Sequence, residues 1–176
     1  DWNYINRGST LLAIATQEAY KLLTPTDPAA TQENLLGEYR FEVVTPLGTV
    51  LLSGDGSNFH PADNYLLLLD TGGDDTYAAA GSASSAYPIG ISIELGGDDR
   101  YVNYDDNAHS CGSGLFGTGI LLDAGGNDTY NSTYAGQGSG IFGSGVLYDM
   151  AGDDSYWSYG HGQGSGWFVH NHQAGI

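Results

Sequence analysis

"DAGGNDTY", residues Asp123–Tyr130, recurs in close form three more times: "DTGGDDTY" over 70–77, "ELGGDDRY" over 94–101 and "DMAGDDSY" over 149–156. The leading acids are Asp70, Glu94, Asp123 and Asp149, at spacings of 24, 29 and 26 residues. Self-similarity at such a period marks a chain that stacks one supersecondary unit on the next. A degenerate earlier unit is visible too. "PLGTVLLSGDG" from Pro46 resembles "PIGISIELGGDD" from Pro88 but lacks the full acid set, as irregular terminal coils do.

The downstream half of each unit repeats as well. "CGSGLFGTGILLD", "QGSGIFGSGVLYD" and "QGSGWFVHNHQAGI" align on Gly-Ser-Gly. Phe116, Phe142 and Phe168 then share one column, Tyr77, Tyr101, Tyr130 and Tyr156 a second, and His109, Ala135 and His161 a third. The longest unit fits if residues are inserted between Tyr101 and His109. No unit has a glycine-free stretch long enough for two helices, and the Leu-x-x-Leu-x-Leu frame is absent. Short apolar runs such as "LLLLD", "ISIEL", "GILLD" and "GVLYD" each end at a glycine turn. They predict an all-β fold, a parallel β-helix of about 4–5 coils over 46–176, with columns stacked at about 4.8 Å.

Residues 1–45 differ. They hold Arg7, Lys21 and Arg40, three of the four basic residues, and little glycine. "STLLAIATQEAYKLL" reads as a helix capped by Ser9 or Thr10, with Leu11, Ile14, Ala15, Ala19 and Leu22 on one face. "TPTDP" ends it, and "EYRFEVV" alternates Tyr39, Phe41 and Val43 against polar neighbours, a strand signal. This segment is expected to cap one end of the solenoid. The last repeat stops at Ile176 before its next acid, which predicts that the natural chain continues.

Among the 176 residues, 21 acids face 4 basic residues, a formal net charge of −17. Such a surface excludes nucleic acid and anionic membrane as partners, because both need Lys or Arg against phosphate. The 40% hydrophobic content and 13 tyrosines argue against disorder. Cys111 is the one cysteine, so neither an intrachain disulfide nor a cysteine cluster for zinc can form. The longest apolar patch, "YLLLL" at 65–69, is too short to span a membrane.

Stacking the motif creates three acidic columns: Asp70/Glu94/Asp123/Asp149, Asp74/Asp98/Asn127/Asp153 and Asp75/Asp99/Asp128/Asp154. Like charges opposite one another destabilise a sheet. At ~5 Å and an effective dielectric near 20, each pair costs about 3 kcal/mol. Beyond Arg40 the sequence supplies one basic residue, Arg100. A hard divalent cation resolves the conflict, and carboxylate, Asn and carbonyl oxygens around glycine are the ligand set of Ca2+. "GGDDTY", "GGDDRY" and "GGNDTY" resemble the RTX-type calcium repeat, whose glycine–acid turns bind calcium between coils of a parallel β-roll. The likeness covers about eight residues in each of four units, and the nonapeptide period is missing. It implies calcium-stabilised turns at these twelve positions. As the single neutral member, Asn127 is expected to mark the weakest rung. The whole unit also resembles repeats of secreted bacterial proteins, which implies export.

Other candidates weigh less. "HNH" places His170 and His172 on one face if extended, either a metal or acid–base pair or a polar loop; His60, His109 and His161 are the remaining histidines. Arg100, beside Asp98 and Asp99, is where a calcium-dependent polysaccharide lyase would keep its base, or simply an exposed arginine among carboxylates. Tyr134, Trp157, Tyr159 and Trp167 either stack on sugar rings or pack as ladders; exposure along a groove discriminates. The leading expectation is a calcium-binding, non-enzymatic structural or adhesive module, extracellular or at the cell surface, able to assemble with itself end to end. The alternative is a carbohydrate-active or carbohydrate-binding β-helix whose partner is extracellular polysaccharide.

Overall fold

The computed structural model describes residues 7–8, 10–11, 14, 40–103 and 109–167. Strands bounded by glycine turns build a path that returns on itself once per repeat. The first face contains β1 (Arg40–Thr45), β2 (Gly48–Ser53), β4 (Tyr65–Asp70), β6 (Ile89–Glu94), β9 (Thr118–Asp123) and β12 (Ser144–Asp149) in that order. After each motif turn the chain enters the second face: β3 (Phe59–His60), β5 (Thr76–Tyr77), β7 (Arg100–Val102), β10 (Thr129–Ser132) and β13 (Ser155–Ser158). The third face holds β8 (Gly114–Leu115), β11 (Gly140–Ile141) and β14 (Gly166–Trp167). All pairings between coils are parallel, so the fold is a parallel β-solenoid.

Two faces carry five parallel rungs, but the third carries three, so the three-sided solenoid completes about three turns, fewer than the repeat count suggests. The reason lies in the first two coils. Four residues, 61–64, join β3 to β4, too few at about 3.3 Å each to build another face. The next coil reaches the third face through a single bridge, Ala83 to Gly114.

The expected columns are real registers. Asp70, Glu94, Asp123 and Asp149 are successive partners, as are Tyr77, Tyr101, Tyr130 and Tyr156. Phe116 stacks on Phe142 at 5.1 Å; Phe168 lies outside the described residues. Cys111, Gln137 and Gln163 repeat the same backbone, at φ 51°, 51° and 52°. The core is one continuous strip of Leu51, Leu68 and Leu121 backed by Tyr77, Tyr101 and Tyr130.

Two glycine columns are geometric necessities. Gly97 has φ +144°, and a Cβ there would lie 1.7 Å from the Gly73 carbonyl oxygen one coil below. Gly112, in the Gly-Ser-Gly segment, has φ +73°, and its Cβ would meet the Val146 carbonyl oxygen at 1.9 Å. The solenoid is so thin there that opposite walls touch backbone to backbone.

At the N-terminal side, β1 pairs antiparallel with β2. "EYRFEVV" is thus a strand as expected from Arg40 onward, though Phe41 and Val43 remain 42% exposed. Of the expected helix, Thr10, Leu11 and Ile14 are helical, as are Arg7 and Gly8; the remainder lies outside the described residues, as does "HNH". No helix among the described residues is long and apolar enough to cross a membrane.

Candidate metal centre

The three acidic columns meet different fates. Asp74, Asp98, Asn127 and Asp153 face solvent. Their side chains accept the backbone N–H of the next coil: Asp98 N–H donates to Asp74 Oδ1 (3.0 Å), Asn127 N–H to Asp98 Oδ1 (2.8 Å) and Asp153 N–H to Asn127 Oδ1 (3.1 Å). An amide oxygen accepts an N–H as a carboxylate does, so Asn127 fits this column; its Nδ2 also donates to Asp98 Oδ1. None of these four residues belongs to a buried acid cluster.

The third column works in the opposite direction and is buried. Asp75 N–H donates to Asp99 Oδ1 and Asp99 N–H to Asp128 Oδ1, both at 2.7 Å, while Asp128 N–H donates to Asp154 Oδ1 at 2.9 Å. Adjacent aspartates in one motif therefore brace two different neighbours, one coil up and one coil down. The leading acids also turn inward. Glu94 Oε1 and Asp123 Oδ1 accept the N–H two residues on, from Gly96 (2.6 Å) and Gly125 (3.0 Å).

Beside these two columns stands the aromatic ladder, its phenols reaching the acids. His60, Tyr77, Tyr101, Tyr130 and Tyr156 stack with ring centroids 4.7, 4.9, 4.7 and 4.7 Å apart. The phenols of Tyr101 and Tyr130 both donate to Asp123 Oδ2, at 2.7 and 2.8 Å, and Tyr156 donates to Asp149 Oδ2. Tyr101→Phe should remove one such bond without changing the stack, costing about 1–2 kcal/mol. Urea unfolding checks that figure.

After these bonds are made, Glu94 Oε2, Asp99 Oδ2 and Asp128 Oδ2 remain buried without partners. They belong to two clusters whose ligand atoms lie within 4.8 Å of one another: Glu94–Asp99–Asp123 and Asp123–Asp128–Asp149. Asp123 is shared. Asp70, Asp75, Glu94, Asp99, Asp123 and Asp128 are each at most 1% exposed; Asp149 and Asp154, on the last coil, are half-buried. Burial raises the Asp75 carboxyl to about 6, with Asp70 adding to the shift. Burial likewise pushes Glu94, Asp99 and Asp128 up, reinforced by neighbouring acids. Bare carboxylates are therefore disfavoured here, and either protons or a cation must offset them. The orphaned oxygens fit a hard cation: oxygen donors converge on two clusters in which every ligand but Asp149 is buried.

Arg100 is exposed while its neighbour Tyr101 is buried, so its side chain stays outside the clusters. Cys111 is buried, and burial raises its thiol to about 11, which leaves it inert.

The first coil adds His60, which in the sequence is only one histidine among five. "SGDGSNFH", residues 53–60, takes the place of "DTGGDDTY": Ser53 pairs with Asp70, and His60 with Tyr77. Equal length over eight residues was the available signal, hidden by the loss of both glycine spacing and acids. His60, Asp70 and Asp75 form a third cluster.

No family model, curated protein or solved structure matches the chain, and the reading of the site rests on its geometry.

Proposed function

We propose that the chain is a calcium-stapled β-solenoid scaffold, a structural or adhesive module of an exported or cell-surface protein with no catalytic role. The observation that supports it is the pair of all-oxygen clusters with three unpartnered oxygens in the interior. Buried carboxylates at 0–1% exposure cannot touch a macromolecular substrate, whereas an ion placed among them joins successive coils. Oxygen-only donors favour Ca2+ over zinc or copper. Millimolar calcium is an extracellular condition, and extracellular calcium modules need only 10⁻⁴–10⁻³ M affinity, as an order of magnitude.

The carbohydrate reading draws on Tyr134, Trp157 and Tyr159, which are 37%, 53% and 84% exposed. They sit on the last two described coils. Among the described residues β12, β13 and β14 are edge strands, the surface that end-to-end assembly would use.

The direct test is thermal unfolding in calcium and in EGTA. Calcium at about 100 times its Kd adds about 2.7 kcal/mol per site. For a chain of this size that raises Tm by roughly 5–10 °C. An unchanged Tm would overturn the proposal.

A further inference from the structure

The lowest cluster differs in kind from the two above it. His60 is 1% exposed, Asp70 0% and Asp75 1%, and each offers a ligand atom within 4.8 Å of the others. His60 Nε2 lies 2.8 Å from Asp70 Oδ2, and Nδ1 is buried with no partner. Whichever tautomer the ring adopts, the protein alone leaves one of its nitrogens unsatisfied. Its position is fixed, since the ring stacks on Tyr77 at 4.7 Å and 14° as the first member of the aromatic ladder. In every coil above, that place belongs to a phenol, which can donate a proton to a carboxylate but brings no nitrogen lone pair.

Charge points the same way. Six carboxylates are fully buried, and four of them line the all-oxygen clusters together with the half-buried Asp149. The remaining two, by position, are Asp70 and Asp75. Nitrogen plus two carboxylates is a donor set for a first-row transition ion, not for calcium.

From this we infer that His60, Asp70 and Asp75 bind a divalent first-row transition metal, Zn2+ or an ion of similar size, at the first coil junction. The ion joins the first coil, which has Ser53, Ser57 and Asn58 at the three acid-column positions, to the acidic second one, beneath the calcium column and independent of it. Exchanging tyrosine for histidine in one ladder position thus changes the metal class that the interior accepts.

Co2+ titration of the chelator-treated full chain tests the inference. One equivalent should give visible d–d absorption that one equivalent of Zn2+ extinguishes and millimolar Ca2+ leaves intact. His60→Tyr installs the residue that the other coils carry at this place; it should keep the fold and the calcium response but lose the band. Zn2+ affinity should fall by at least about 100-fold, the upper end of what losing a mere supporting contact costs. His170→Gln/His172→Gln should retain the band. Absence of the band in the unaltered chain, its persistence in His60→Tyr, or its loss in His170→Gln/His172→Gln overturns the assignment. If His60→Tyr does not fold, the imidazole ¹⁵N shifts of the unaltered chain decide: Zn2+ must move those of His60. The calcium melts are read separately, so either metal assignment can fail while the other holds.

Discussion

Asp123→Ala is expected to abolish the stabilisation by calcium and to lower stability in calcium by about 5 kcal/mol. Asp123 is fully buried and is the ligand that both all-oxygen clusters share. Its Oδ1 holds the Gly125 N–H, and its Oδ2 accepts two phenols, from Tyr101 and Tyr130. Truncation leaves three donors unpaired in the interior, each costing about 1–3 kcal/mol, and removes one ligand from each ion. In EGTA the loss should be smaller, because deleting Asp123 also relieves the repulsion that raises Glu94, Asp99 and Asp128. Calcium and EGTA melts of the variant should therefore nearly coincide. Asp98→Ala supplies the contrast: its side chain is exposed and braces Asn127, so it should cost about 1 kcal/mol and keep the calcium response. An Asp123→Ala protein that still gained stability from calcium would exclude the clusters as the binding sites.

The second large effect is an inverted pH dependence without metal. Asp75 is raised from 3.8 to about 6, and Glu94, Asp99 and Asp128 are raised as well, so the folded chain binds protons that the unfolded chain releases. A group with a raised folded pKa stabilises fully below its unfolded value, near 4, and loses that contribution as pH rises through the folded value. In EGTA, stability should thus be highest near pH 4–5 and fall steadily towards pH 8. Asp75 alone accounts for on the order of 3 kcal/mol of that fall. With calcium the part of the slope due to Glu94, Asp99 and Asp128 reverses, since the ion displaces their protons and binds better as pH rises. Urea midpoints measured from pH 4 to pH 8 should give two curves that cross. Parallel curves would mean that protons, and not cations, are the resident counter-charge at every pH.

How far could these columns be read from residues alone? The repeat itself was legible, as were the tyrosine register, the leading acid register and the strand at Arg40–Thr45. Each depends on one chemistry recurring at one interval, and a parallel solenoid converts sequence interval directly into stacking. The coil count was less so. Whether a short coil includes its third face depends on the four residues of 61–64, not on any motif. His60 was visible as a residue but not as a ladder member, because its coil had lost the acids that define the frame.

The sequence by itself determined that carboxylates, glycines and tyrosines would stack in columns, because identical turns repeated along a chain must adopt the same backbone. Only the tertiary structure decided which carboxylates point inward. Asp74 and Asp75 are neighbours of one type, and nothing in their order says that one faces water and the other the core. That choice is made when the coil closes: the turn directs one side chain out to the next coil's N–H and the other in towards the previous coil's. The electrostatics follow, since a carboxylate outside is solvated and stable, while its neighbour inside demands a proton or a metal.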